Sequence, residues 1–225
     1  MGDTILRGYR AQDAYPAVGS DGSAVAGRFN NRGELVVPDF YQQLVQDGRV
    51  FIASNVARET AAAMGTASAT FSDTDPALLM FVPSGTTVMP LEIYLAQGGT
   101  VAGGVVTVLI TLDDGTTRYS SGGVAVTPQN MRYDEPNTSL VTFYEGTTEI
   151  VAGANVDDVT LWAGLLDQDV SDPNRTENVD WSARKYIAPL LVGPANLLVY
   201  TYAATTQPAW FWHVTWAEIP TVSVT

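Results

Sequence analysis

Asp167, Asp169 and Asp172 stand two and three residues apart in the run Asp167-Gln168-Asp169-Val170-Ser171-Asp172-Pro173-Asn174, and carboxylates at that spacing can converge on a hard cation. The run lacks the sharp-turn glycine and the distal bidentate glutamate of an EF-hand loop, so a solvated loop between strands is the favoured reading. Asp113 with Asp114, and Asp157 with Asp158, read as ordinary turn residues. His213 is the only histidine and sits in Trp210-Phe211-Trp212-His213-Val214-Thr215-Trp216, with no serine or acid beside it. That setting favours a hydrogen-bonded packing residue over a general base. A histidine-based zinc site or a serine triad would have to draw on this one residue, and with no cysteine there is no thiolate ligand or nucleophile.

Other motifs are weaker still. Gly98-Gly99 and Gly103-Gly104 lack the following lysine with serine or threonine of a phosphate loop. Two acids could approach in space to hydrolyse a glycoside, but no spacing singles out a pair. Asn137-Thr138-Ser139 and Asn174-Arg175-Thr176 match the glycosylation pattern, without a secretory segment to give it meaning. Tyr200, Tyr202, Trp210 and Trp212 could stack a sugar ring, but they lie in strand-like runs, so packing in a core or a subunit seam is preferred. The expectation is a chain with no catalytic, cofactor-binding or metal-ligating residue.

The elements that would position these side chains are mostly strands. Trp210, Trp212, Val214 and Trp216 alternate with Phe211, His213, Thr215 and Ala217, a period of two with apolar residues on both faces. The even-numbered face is expected to fill the core, and the Phe211 and His213 face to be covered by another strand, loop or subunit. Met89, Leu91, Ile93 and Leu95 alternate with Val88, Pro90, Glu92 and Tyr94, the proline suggesting an edge or a strand start. Val106, Val108, Ile110 and Leu112 form a further face. They end at the turn Asp113-Asp114-Gly115, from which Thr116 to Ser120 is expected to return as a hairpin. Arg49 to Ala53, Ala77 to Val82, Ser139 to Tyr144, Val159 to Leu166, Ile187 to Leu191 and Leu197 to Tyr202 read as strands.

A short helix is expected near 38–47, with Pro38 in its first turn, Asp39 near its N-terminus, Phe40, Tyr41, Leu44 and Val45 at helical spacing and Gly48 ending it. Thr60 to Ala69 is ambiguous. Its alanines favour helix, while Gly65 and the threonines favour an edge strand or loop. Residues 1–36 carry little periodic pattern and read as an extended N-terminal arm, either loose or ordered against a neighbouring subunit, with Arg7, Arg10, Arg28 and Arg32 suited to an acidic partner. Residues 37–225 read as one domain. Eight to ten strands with turn signals every ~8 to 12 residues indicate an antiparallel β-sandwich or barrel closed by Greek-key connections.

The formal charge is −13, from 24 acidic and 11 basic residues, and Lys185 is the only lysine. Such a surface repels phosphate backbones, which argues against direct nucleic-acid binding. No run approaches the ~20 apolar residues of a spanning helix, and Met1 to Arg10 has no signal-peptide core, so the expected product is made in the cytosol without membrane insertion or lipid anchor.

The segment Thr117-Arg118-Tyr119-Ser120-Ser121-Gly122-Gly123, followed by Thr127, Pro128, Gln129 and Asn130, resembles an element of virion structural proteins of tailed bacteriophages, where such a strand leads to a Thr-Pro turn. Leu191-Val192-Gly193-Pro194, Leu197 to Tyr202 and Trp212 to Pro220 are similar to the closing strands of such proteins, and the helix before Gly48-Arg49-Val50-Phe51 to their entry. The resemblance covers about half of the chain and contains no chemically diagnostic motif. It implies a jelly-roll-like β-sandwich in a phage particle, self-associating and often trimeric, placed as a capsid decoration or minor head protein, at the head-to-tail region, or in the tail and its fibres. It implies partners among the major capsid and other virion proteins and no catalytic residues or cofactors. The alternative is a carbohydrate-binding, receptor-recognising module of a tail or fibre.

Overall fold

In the computed structural model, residues 39–98, 104–115, 118–153, 159–168, 178–204 and 206–220 are described. The 1–36 arm, Pro38, Thr117, Asp157, Asp158, Asp169 and Asp172 lie outside them. The sandwich lies within the unit of residues 44–225.

The strands are β1 (Val50–Ser54), β2 (Ala62–Ala63), β3 (Leu78–Val82), β4 (Thr86–Gln97), β5 (Gly104–Asp113), β6 (Tyr119–Val126), β7 (Gln129–Asn130), β8 (Thr142–Ala152), β9 (Val159–Gln168), β10 (Asn178–Ser182), β11 (Leu191–Val192), β12 (Ala195–Ala203) and β13 (Ala209–Pro220). One sheet runs β10-β4-β13-β1-β7, with β11 on β4 and β2 on β13; the other runs β6-β8-β3-β12-β5-β9. Set aside the two-residue strands and the β6–β8 excursion, and eight strands remain. They pair as first-eighth-third-sixth facing second-seventh-fourth-fifth, which is the jelly-roll order of two interlocked Greek keys. The expected jelly-roll-like antiparallel sandwich is therefore the observed fold.

The main core lies between the sheets. Trp210, Trp212, Val214 and Trp216 of β13 meet Leu78, Met80 and Val82 of β3, Val106, Val108 and Ile110 of β5, and Leu197 and Val199 of β12. Phe143 of β8 stacks against Trp212 at 5.2 Å and Trp216 at 6.0 Å between ring centres. The even-numbered face of β13 fills the core as expected. Its other face is uneven: Ala217 is buried with Leu44 and Val50, beside Val45, Met89 and Leu91, whereas Phe211 is 40% exposed. Among the described residues this face is covered only at its Ala217 end, where Leu44 and Val45 of the helix reach it.

That helix, α1, spans Phe40–Gln46. The Asp39 side chain accepts the Tyr41 N–H at 2.9 Å and its carbonyl accepts the Gln43 N–H, so Asp39 is the N-cap. At the other end Gly48, with φ of 65°, donates to the Val45 carbonyl and closes the helix.

Several readings are corrected by the long-range pairing. Pro90 lies in β4, a central strand, where no edge was needed to accommodate it. Its missing N–H falls between the stretches paired with β10 (Glu92 to Ala96) and β11 (Thr87, Val88), opposite a register shift in β13. In that shift Trp216 pairs with Pro90 and Thr215 with Glu92, leaving Leu91 as the extra residue of a bulge. The bulge changes the facing parity of β4: Val88 and Pro90 are buried before it, Ile93 and Leu95 after it, and Met89 and Leu91 turn to the helix side.

The expected hairpin from Asp113 to Ser120 does not form. β6 pairs with β8 at the opposite end of the sheet from β5, because Arg118 anchors this segment across the outer face. Ile187 to Leu191 yields only Leu191–Val192, with Ile187 93% exposed, and Asn178–Ser182 forms an unforeseen strand. In Thr60 to Ala69 the strand reading holds for Ala62 and Ala63, paired with β13. Among the described residues no helix is long and apolar enough to cross a membrane.

Candidate functional site

The β6–β8 excursion closes over a concentrated polar cluster among the described residues. β8 pairs with β3 through Thr142 to Glu145 and with β6 over Phe143 to Glu145 and again over Ile150 to Ala152, and Gly122 and Gly123 of β6 have φ of 77° and 67° at register shifts. A Cβ on Gly122 would stand 1.9 Å from the Glu149 carbonyl oxygen, so glycine is required there for both conformation and space. The outer-face side chains Leu79, Leu198 and Tyr200 form a second small core with Ile150 and Ala152 of β8, beside Tyr119 and Tyr144.

At the end of this second core lies a buried ionic cluster. Arg118, 2% exposed, places Nε 2.6 Å from Asp113 Oδ2 and Nη2 2.6 Å from Asp73 Oδ1. Nη2 also donates to the Tyr200 hydroxyl at 2.9 Å and Nη1 to the Gly153 carbonyl, while the Tyr200 hydroxyl donates to the Asp73 carbonyl at 2.9 Å. Asp113 accepts the Gly115 N–H through its other oxygen. Burial works against the guanidinium's charge, but the Asp73 hydrogen bond and the fields of Tyr200, Asp73 and Asp113 outweigh it and raise the Arg118 pKa. Asp113, expected to be an ordinary turn residue, is thus a buried counter-ion. A clue was present in Arg118 five residues on, but only the fold brings Asp73 and Tyr200 to it.

A second buried carboxylate, Glu145, lies between the sheets. Its Oε2 accepts the Trp212 indole N–H at 2.8 Å and the Val56 N–H at 3.4 Å, and Oε1 accepts the Thr147 hydroxyl at 3.4 Å. Nothing in the local sequence Tyr144-Glu145-Gly146 announced it.

His213 is half-buried on the outer face of β13, where it stacks on Tyr94 at 5.2 Å with Nε2 3.5 Å from Glu92 Oε2. β4 thus supplies the acid that the neighbouring sequence lacked. Of the proposed sugar platform, Tyr200, Trp210 and Trp212 are buried in the two cores, and only Tyr202 is partly open. Those three rings are not open to stack a sugar as one platform with Tyr202. Asp167 lies in β9, and the remainder of its aspartate run is outside the described residues, among which no group of three or more histidines or acids could hold a metal ion.

An open cleft of about 280 Å³ is lined by Asp47, Arg49, Thr86, Asn137, Leu140 and Glu218 together with Gly85 and Ile219. Glu218 is committed within it. It accepts from the Ser139 hydroxyl, the Leu140 N–H at 3.1 Å and the Trp216 indole at 3.2 Å. This carboxylate pins the 139–140 segment to β13. The chain matches no protein-family model, no curated protein and no solved structure.

Proposed function

We propose that the chain is a non-enzymatic structural component of a tailed-phage virion, a jelly-roll subunit that associates with itself and docks on other particle proteins, most suitably as a capsid decoration or minor head protein. One observation carries this reading. The chemically capable groups described above, Arg118, Asp113, Glu145 and Glu218, are engaged in holding strands and loops together, while large apolar side chains such as Ile187, Leu165 and Val159 stand in the open. A fold whose buried polar groups stiffen it and that leaves some large apolar side chains in the open is suited to making contacts. The phage-like segments fall on structural features in keeping with this role: the paired-glycine kink of β6, and the closing strands β12 and β13.

The decisive experiment is compositional. Particles assembled from the genome that encodes the chain are purified through a density gradient and their proteins quantified by mass spectrometry. The chain is expected at a copy number in simple ratio to the major capsid or tail proteins. Its absence from intact particles would refute a virion role.

A further inference from the structure

We propose that β9 is an intersubunit seam, pairing edge to edge and antiparallel with β9 of a second copy, so that two six-stranded sheets join into one. An edge strand leaves a row of backbone N–H and C=O groups without partners, and proteins ordinarily blunt such edges with bulges, charges, prolines or short length. Three of the sandwich's edges are managed in this way. β6 is kinked by two positive-φ glycines and two register shifts; β7 has two residues; β10 has five, with Asp180 paired to Lys185.

β9 is different. It has ten residues, Val159-Thr160-Leu161-Trp162-Ala163-Gly164-Leu165-Leu166-Asp167-Gln168, with no lysine, arginine or proline and one acid. It pairs with β5 on one side and, among the described residues, with no strand on the other. Its bulge, at Leu161, leaves Trp162 to Gln168 in regular register with β5. Leu165 is 69% exposed and Val159 62%, and Val105 adds exposed apolar surface on the adjoining strand.

The geometry of a strand edge calls for another strand, and charge selects a second copy. A chain of net charge −13 repels itself across most of its surface, but β9 contributes a single carboxylate in ten residues. Facing residues of an antiparallel pair share a face of the sheet, so a two-fold axis perpendicular to the sheet must pass through a residue position. A crossing at Gly164 sets Leu165 opposite Ala163 of the partner subunit, large against small on the outer face, and brings no two carboxylates opposite each other. The seam follows from the edge alone, whether or not the chain belongs to a virion.

Sedimentation equilibrium of the purified full chain, from low to high micromolar concentration, tests this. The wild type should show a reversible monomer–dimer equilibrium. Leu165→Lys, which puts two ammonium groups on the joint at a position exposed in the monomer, should weaken dimerisation by at least about tenfold while leaving the circular dichroism spectrum and melting temperature of the monomer unchanged. Hydrogen exchange should slow at the β9 amides that point away from β5 as concentration rises. A wild type that stays monomeric, a dimer untouched by Leu165→Lys, or a trimer that keeps its mass in that variant would overturn the β9 seam; either of the last two would leave self-association, and with it the proposed structural role, standing.

Discussion

Replacing Arg118 with methionine keeps much of the side chain's volume and removes its charge, leaving Asp113 buried without that cation and taking the guanidinium away from Asp73 and the Gly153 carbonyl. Removing one member of a buried ion pair typically costs about 3–5 kcal/mol, because the partner keeps its desolvation and loses its compensation. In a domain of this size that corresponds to a fall in melting temperature of roughly 6–20 °C. Urea unfolding of wild type, Arg118→Met, Asp113→Asn and the double variant gives the cycle. Asparagine at 113 retains an acceptor for the Gly115 N–H, so the double variant should recover part of the loss, with a coupling energy of about 1–3 kcal/mol. The difference between Arg118→Met and wild type should persist in high salt, since the pair is buried. An Arg118→Met variant within about 1 kcal/mol of wild type, or a cycle with no coupling, would refute the assignment of the cluster as the clamp that holds the excursion to the sheet.

Glu145→Ala leaves the Trp212 indole N–H buried without an acceptor and should cost about 1–3 kcal/mol plus the cavity, whereas Glu145→Gln retains an acceptor and should cost clearly less; chemical denaturation of both variants checks this. Trp212→Ala should destabilise by about 3–5 kcal/mol, against less than about 1 kcal/mol for His213→Ala, by the same measurement. Burial raises the Tyr144 pKa, helped by the charge of Tyr119 and the hydrogen bond with it, the two rings being stacked at 3.9 Å. Its contribution to stability is therefore complete below the unfolded tyrosine pKa of about 10 and is lost as pH rises through the higher folded value. Ultraviolet titration should show one phenol ionising late, and Tyr144→Phe should remove that step.

What the sequence disclosed and what it hid divide along physical lines. The alternation from Trp210 to Trp216 was legible because a strand with large apolar residues at every second position has one way to bury them. β4 has the same texture but was misread: the bulge at Leu91 reverses which residues face inward, and it is imposed by the pairing with β13 more than a hundred residues later. Asp113 looked like a turn residue, and one of its oxygens does make the local contact such residues make, accepting the Gly115 N–H. Its burial depends on Asp73, Arg118 and Tyr200, which three separate segments deliver. Glu145 was invisible for the same reason, since an acid between a tyrosine and a glycine carries no mark of the indole it will meet. The short strands β2, β7 and β11 are defined by their neighbours alone, and two residues hold no periodicity to read.

The position of β13 between β4 and β1 sets the order in which a nascent chain can fold. β1 emerges from the ribosome early, but its main partner is β13, so Val50 must wait for Ala217 and Glu92 for Thr215. At about 5–20 residues per second that wait lasts many seconds, during which β1 and β4 present unpaired apolar edges. The local β6–β8 hairpin can close meanwhile, but the sheet containing four of the five tryptophans cannot. Closure of this sheet therefore waits on the synthesis of β13, and the interval before β13 arrives is when chaperone capture or premature strand exchange between copies would take place.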